Sequence, residues 1–249
     1  MRDHQGDYGY DGSFHTVSAG AQIVGVGVSS AALFAGAGVA LARRNRLAAA
    51  IAAVSGAQIL GTAVSYIYAT RSGKFRAWAS ILDDLRLRGD ETLLDLGCGR
   101  GAVLLAAARR LPRGRAIGVD LWRADQTDNS QQATLTNASL ENVADRIELH
   151  TADMAALPLP DGSVDVVVSN LAIHNIPERA GRRRALDEAV RVLRPGGRLA
   201  IADLWETRQH AERLRALGWT DVRRRNLGYR MWYGGPWFAT RLVTGTKPG

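Results

Sequence analysis

Hydrophobic and polar positions divide this chain into three parts. Residues 1–14 are polar, mix Gly, Asp and Tyr, and show no period. Such a stretch is expected to be a disordered tail. Residues 17–42 and 47–70 contain no charged side chain, and Arg43, Arg44, Asn45 and Arg46 separate them. Each run is about 25 residues, enough for a helix to cross a hydrocarbon layer roughly 30 Å thick. From Arg71 onward, short apolar runs alternate with stretches of helical period. Strands are expected at 92–96, 116–119, 146–151, 164–170, 198–203 and 241–246, with another after Gly218-Trp219. Helices are expected at 75–87, 102–110, 125–140, 177–193 and 206–217. That alternation implies an α/β fold with a mostly parallel sheet between helical layers. The predicted divisions are therefore a tail (1–14), a two-helix transmembrane hairpin (15–70) and an α/β domain (71–249).

The composition of the first 70 residues sharpens the hairpin reading. Gly20, Gly25, Gly27, Gly36, Gly38, Gly56 and Gly61 are poor choices for an isolated soluble helix. Small residues suit two helices packed closely in lipid. Tyr66 and Tyr68 end the second run, where an interfacial aromatic belt is expected. The competing reading is a pair of Ala-rich soluble helices buried on the α/β domain. A signal peptide is not expected, because the polar start is acidic and the following apolar run exceeds a signal core. Basic residues do not orient the hairpin: Arg43, Arg44 and Arg46 on one side face Arg2, Arg71, Lys74 and Arg76 on the other.

Charge and cysteine content narrow the partners. The 249 residues carry 32 Lys+Arg against 24 Asp+Glu, a formal +8. The excess admits nucleic acid or an anionic membrane surface, but it is scattered in short clusters that also suit solvated faces. Cys98 is the sole cysteine, so no internal disulfide and no cysteine metal cluster can form. His150, His174 and His210 lack paired ligand spacing, so no metal site is expected.

The most informative stretch is Thr92-Leu93-Leu94-Asp95-Leu96-Gly97-Cys98-Gly99-Arg100-Gly101. It reads as a buried strand turning tightly into a helix. The glycines let the backbone pass close to a ligand. Asp95 puts a carboxylate beside a ligand that is cationic or rich in hydroxyls. A dinucleotide site usually spaces its glycines G-x-G-x-x-G, whereas this turn is G-x-G-x-G with an acid ahead of it. Asp120 ends the next strand about 20 residues later, where an acid typically binds ribose hydroxyls.

Asp95 to Gly101 resembles the first motif of class I S-adenosylmethionine-dependent methyltransferases. Asp120, Asp153 with the 164–170 strand, and Pro195-Gly196-Gly197 resemble the later motifs in order. The whole pattern is most similar to the branch that includes ubiquinone and menaquinone biosynthesis methyltransferases. The resemblance implies a Rossmann-like, seven-stranded, mostly parallel sheet with helices on both faces. It implies S-adenosyl-L-methionine as cofactor, bound by Asp95, Gly97, Gly99 and Gly101. Asp120 would take the ribose, Leu121 would flank the adenine, and Asp153 and Met154 would meet the adenine amino group and ring. Trp122 is read equally as an adenine neighbour or a core aromatic. Asn170 would bond the methionine half. His174 is the candidate catalytic residue, orienting an acceptor or taking its proton.

These expectations add up to a membrane-anchored methyltransferase acting on a small, lipophilic acceptor. Membrane lipids would be partners through the hairpin, and a homo-oligomer is left open. Because S-adenosylmethionine is made in the cytoplasm, the α/β domain is expected to face it, with the arginine turn outside. The aromatic stretch Tyr229 to Phe238 is expected to line an apolar acceptor pocket, lie at the lipid surface, or pack on its own sheet. Nucleic acid is not an expected partner, since no Asn-Pro-Pro-aromatic run follows the fourth strand. Two other readings survive: a cofactor-binding regulatory protein without transfer activity, and an NAD(P)-dependent oxidoreductase.

Overall fold

A computed structural model of the chain describes residues 5–12, 18–123 and 126–249. Residues 1–4 and 13–14 of the predicted tail, 15–17 of the predicted hairpin and the predicted helix start at Asp125 lie outside the described residues.

Two antiparallel helices open the fold, α1 (Ala19–Ala42) and α2 (Arg46–Tyr68). Ser18 caps α1 by accepting the Ala21 amide, and Asn45 caps α2 by accepting the Ala48 amide. Arg44, with φ +58°, makes the tight turn between them. Both helices are long and apolar enough to cross a membrane, and only 11% of each span is buried. That low burial separates them from core helices of a soluble domain. Val24, Val28, Leu47, Ile51 and Val54 are all at least 60% exposed. Neither core cluster takes a residue from the hairpin. The glycines, however, do not form the expected close interface. Gly56 alone of the seven meets the facing helix, at Leu33 and Phe34; the other six have open space where a side chain would go. They sit on outward faces, so the helices pack through Ala and larger side chains.

α2 runs on through one π turn (Ala69–Gly73) into α3 (Lys74–Asp84), so hairpin and α/β domain share a continuous helix. A side chain on Gly73 would collide with the Arg230 carbonyl, and this close approach seats the 228–238 stretch on the junction. The predicted helix at 75–87 ends instead at Asp84, with Arg86 already at φ +48°.

The domain holds a seven-stranded sheet in the order β3-β2-β1-β4-β5-β7-β6. The strands are β1 (Thr92–Leu96), β2 (Arg115–Asp120), β3 (Ile147–Thr151), β4 (Val164–Asn170), β5 (Leu193–Asp203), β6 (Arg223–Asn226) and β7 (Arg241–Thr246). All neighbours are parallel except β7, which runs against β5 and β6. Alternation splits the central strands between two cores. Leu93, Val166, Val168, Ala200 and Ala202 face one, with Trp78, Ile81 and Leu82 of α3 and most of α4 (Ala102–Ala108). Leu94, Leu96, Val167, Leu199 and Ile201 face the other, under α6 (Arg179–Val192) and α7 (Thr207–Ala216). Burial on both faces explains why these strands read as continuous apolar runs.

Three further departures from expectation bear on the site. The helix predicted from 125 begins at Gln131 as α5 (Gln131–Leu140), because Asp128 at φ +52° and the Ser130 cap hold 126–130 as a turn. β5 starts at Leu193, so Arg194 to Gly197 lie inside the strand and not in a separate stop. Gly196 at φ +72° and a register shift against β4 make 194–197 a bulge within that strand, pinned where the Lys247 carbonyl accepts the Gly196 amide and the Lys247 amide donates to the Gly197 carbonyl. The third difference is the tail. Residues 5–12 pack against the domain: Tyr8 is buried, its hydroxyl donates to Glu141 at 2.8 Å, and Asn137 bonds both the amide and carbonyl of Asp7. Polar composition suggested disorder, yet here Asn137 of α5 and Glu141 just past its end supply the partners.

Candidate active site

β1 leaves the sheet at Leu96 and turns at Gly97 and Gly99, with φ +69° and +50°. The amides of Gly97 and Cys98 donate to the Val119 carbonyl at 2.8 and 3.3 Å, which pulls the turn across β2. Side chains are excluded there by space as well as by φ. A Cβ on Gly97 would collide with Ala172, and one on Gly99 would approach Gln126 Oε1 at 2.5 Å. Asp120, at the end of β2, fastens the turn: Oδ2 accepts the Gly99 amide at 2.8 Å and Oδ1 accepts the Trp122 amide at 2.6 Å. Oδ1 also accepts from Asn129 Nδ2 at 3.4 Å, so Oδ2 is the oxygen that retains a second lone pair for a ligand hydroxyl.

Asp95 lies under this turn, 1% exposed. Its Oδ1 has no hydrogen-bond partner among the described residues. Burial, and then the neighbouring Asp120 charge, push its carboxyl up to about 8. A buried acceptor left unmet at a cavity wall fits a ligand that brings a positive charge or a donor. S-adenosylmethionine brings an ammonium, a sulfonium and ribose hydroxyls, so the residues present suit it. Burial and the Asp95 and Asp120 charges push the Cys98 thiol well up, which argues against a reactive thiolate.

A cavity of about 360 Å³ opens at the carboxyl ends of β1, β2 and β4. Asp95, Gly97, Gly99, Asp120 and Leu121 line it, together with Asp153, Met154, Asn170 and His174. Gly101 does not. It precedes α4 at φ +87°, and a side chain there would meet Leu105 and Thr134, so its lack of a side chain serves helix packing. Trp122 also stands off the cavity; its indole donates to Thr151 Oγ1 at 2.7 Å and its ring packs beside the core. Asp153 accepts the Ala155 amide at 2.9 Å, which fixes the loop after β3. Asn170 Oδ1 accepts from the Trp78 indole at 2.8 Å. Because that partner can only donate, the amide Nδ2 is the atom left to bind a carboxylate.

His174 sits in a short 3₁₀ turn, Ile173–Asn175, just past β4. Its Nδ1 lies 2.5 Å from Asp203 Oδ1, and its amide donates to Asp203 Oδ2 at 3.1 Å. Asp203 is fully buried at the end of β5 and also accepts the Leu204 amide. The carboxylate therefore holds the proton on Nδ1 and leaves Nε2 as the basic nitrogen. The Trp205 ring stands edge-on at 5.2 Å. Asp203 carried no role in the sequence reading. Its position at a strand's carboxyl end, like that of Asp120, was the available signal.

The other side of the cavity is built from residues distant in sequence. Asp11 accepts from Lys74 Nζ at 2.8 Å, from Thr70 Oγ1 at 3.0 Å and from the Tyr233 hydroxyl at 2.8 Å, while the Tyr66 hydroxyl donates to its carbonyl at 2.6 Å. Gln126 ties this knot to the glycine turn, with Nε2 donating to the Tyr8 carbonyl and Oε1 accepting the Arg100 amide. Lys74 is 1% exposed, so Asp11 is the counter-ion of a buried cation. Asp11, Lys74, Tyr66, Gln126 and Tyr233 all line the cavity. Pocket lining was among the expectations for the stretch that holds Tyr233, Tyr66 was expected only at the lipid interface, and Asp11, Lys74 and Gln126 had no expected place in the site. Tyr233 belongs to the aromatic stretch, which packs on α2: Tyr68 stacks on Tyr229, and Ser65 donates to the Trp232 carbonyl at 2.8 Å.

Residues 94–201 match the methyltransferase domain family. The arsenite methyltransferase of Halobacterium salinarum is 39% identical over 118 residues, 47% of this chain and 28% of that protein. A ubiquinone/menaquinone biosynthesis C-methyltransferase of Roseobacter denitrificans is 32% identical over 132 residues, 53% of this chain and 50% of that protein. The chain thus spans half or less of the length of these relatives. Among solved structures, geranyl diphosphate C-methyltransferase from Streptomyces coelicolor, in complex with S-adenosyl-L-homocysteine, superposes with a TM-score of 0.55 at 17% identity. That match covers 69% of this chain and 76% of the other and speaks to the fold.

Proposed function

We propose, from the premise that residues 94–201 are a methyltransferase domain of the S-adenosylmethionine-dependent class, that this chain methylates a small lipophilic acceptor while anchored in a membrane. The observation that carries the reading is one cavity holding both halves of the chemistry. Asp95, with its unmet buried oxygen, lines the same space as His174, which the buried Asp203 holds from behind. The bound cofactor supplies an activated methyl on a positive sulfur. Asp95 and Asn170 are assigned to its amino-acid half, Asp120 to the ribose, and Leu121, Asp153 and Met154 to the adenine. Gly97 and Gly99 give it room.

His174 Nε2 takes the acceptor's proton as the acceptor forms its bond to the methyl carbon. The imidazolium so formed would be stabilised by Asp203 on the other side of the ring. The remaining work is alignment and exclusion of water, which the rigid sheet ends and the 5–12 segment provide.

The membrane reading rests on the hairpin's exposed apolar faces and on its foot. There Tyr229, Trp237 and Phe238 are 45–62% exposed beside Tyr68, an arrangement suited to an interfacial belt. The domain would then rest on the membrane surface, facing the cytoplasm where the cofactor is made. The test is incubation of the full-length protein with methyl-labelled S-adenosylmethionine and its own membrane extract. Label in an extractable lipophilic product is expected. Label confined to water-soluble acceptors would overturn the lipophilic part, and no label at all would overturn the transfer reading.

A further inference from the structure

A second cavity, about 690 Å³, lies in the hairpin itself. It runs between the start of α1 and one face of α2, along Ile59, Thr62, Ala63 and Tyr66, the i, i+3, i+4, i+7 positions of a single helical stripe. From Ser55 to Tyr66 the stripe spans about 16 Å at 1.5 Å per residue. That is about half of a roughly 30 Å hydrocarbon layer. The groove therefore reaches from the aromatic foot to the depth of one leaflet.

Its lower end is not separate from the active site. Asp11, Gly12, Tyr66 and Tyr233 line both cavities. The two phenol hydroxyls are spent on Asp11, so the rings are what the spaces present to each other, with centroids 6.3 Å apart. The buried Lys74–Asp11 pair lies at the catalytic end. Away from it no charged side chain lines the groove among the described residues: Ile23, Val26, Ile59 and Ala63 give it apolar walls, with the neutral Gln22, Ser55, Gln58 and Thr62 between them. A ligand matching this path has a polar, nucleophilic head and one long apolar chain.

We infer that the groove between α1 and α2 is the tail subsite of the methyl acceptor. The acceptor is then a single-chain amphiphile taken from the adjoining leaflet, its chain along the α2 stripe and its head past Tyr66 and Tyr233 toward His174. The hairpin is part of the substrate site as well as an anchor. This inference rests on the methyltransferase reading above.

The test uses full-length protein in phosphatidylcholine nanodiscs and a long-chain alkylphenol carrying a diazirine near the chain end. Saturable adducts on the Ser55–Ala63 stripe are expected, displaced by unmodified long-chain alkylphenol and not by a short-chain one. Ala63→Trp, which fills the groove, should remove the adducts and lower methylation of membrane extract at least tenfold. Gln58→Trp, at an exposed position farther from the junction, should shorten the groove without burdening folding and weaken long-chain labelling. Non-saturable labelling spread over Val28 and Val54 would overturn the inference. So would equal stripe labelling by a diazirine phosphatidylcholine, a cross-link between two copies through the stripe, or wild-type methylation of extract by Ala63→Trp. Calorimetry with S-adenosylhomocysteine separates the two failures. A wild-type protein that binds it but lacks stripe adducts loses the tail subsite alone, and one that does not bind it loses the methyltransferase reading.

Discussion

The two ends of the active-site cavity are made in different ways. The cofactor end is local: Asp95, Gly97 and Gly99 fall within five residues, and Asp120 meets Gly99 because β1 and β2 are adjacent in the sheet. The end assigned above to the acceptor is assembled from afar. Asp11, Lys74, Gln126 and Tyr233 come from four separate stretches and meet around one carboxylate. A backbone turn that approaches a fixed ligand tolerates few residue types, so it leaves a pattern in sequence. A wall built from side chains needs only spatial proximity, and many residue types serve. The division predicts that damage to the first end abolishes cofactor binding, whereas damage to the second spares it.

The largest expected effect tests the chemistry between the ends. His174→Ala should lower turnover about 1000-fold while S-adenosylhomocysteine affinity, measured by calorimetry, stays nearly constant. A parallel loss of affinity would move His174 from proton transfer to cofactor binding. Next comes Asp120→Ala, which strips the acceptor from the Gly99 and Trp122 amides as well as from the ribose that the carboxylate is proposed to hold. Affinity for S-adenosylhomocysteine should fall about 100-fold.

Asp11→Ala addresses the acceptor end. It leaves the Lys74 ammonium buried without its counter-ion. A stability loss of about 3 kcal/mol is expected in chemical denaturation, with a smaller change in cofactor affinity than Asp120→Ala causes. If Asp11→Ala weakened the cofactor as strongly, the two ends would not be separable.

The smallest effect is a proton. The Asp95 carboxyl is pushed from 3.8 up to about 8, so at pH 7 it is mostly protonated in the free protein. A positive ligand favours the ionised form, and binding at pH 7 should release up to about one proton, read by calorimetry in buffers of different ionisation heat. Asp95→Asn should release none. The same group lowers stability as pH rises. The folded state holds a proton that the unfolded chain gives up near 3.8, so its contribution is lost as pH climbs through about 8. Thermal unfolding between pH 5 and pH 8.5 should show that decline, and Asp95→Asn should lack it.

Most of the fold was legible because its pattern is repetitive. β4 and β7 fall at their expected ends, since an apolar run bounded by turn residues has few alternatives. The hairpin's spans were legible for the same reason. What packs between its helices was not, because glycine content does not say which way a glycine faces. Residues 5–12 misled for a related cause: a polar segment looks unstructured until Asn137 and Glu141 are known to stand opposite it. In the site, Gly101 shared the motif's spacing but turned out to serve α4, and Asp203 was hidden because nothing local links it to His174, 29 residues earlier.

The account depends most on Asp95 and Asp120 jointly holding an adenosyl ligand at the glycine turn. Titration of the folded full-length protein with S-adenosylhomocysteine tests this directly. Saturable one-site binding is predicted, abolished in Asp95→Ala and reduced in Asp120→Ala, with no comparable heat from NAD(P). A folded wild-type protein that gives no heat with S-adenosylhomocysteine, or that binds NAD(P) more tightly, would contradict it.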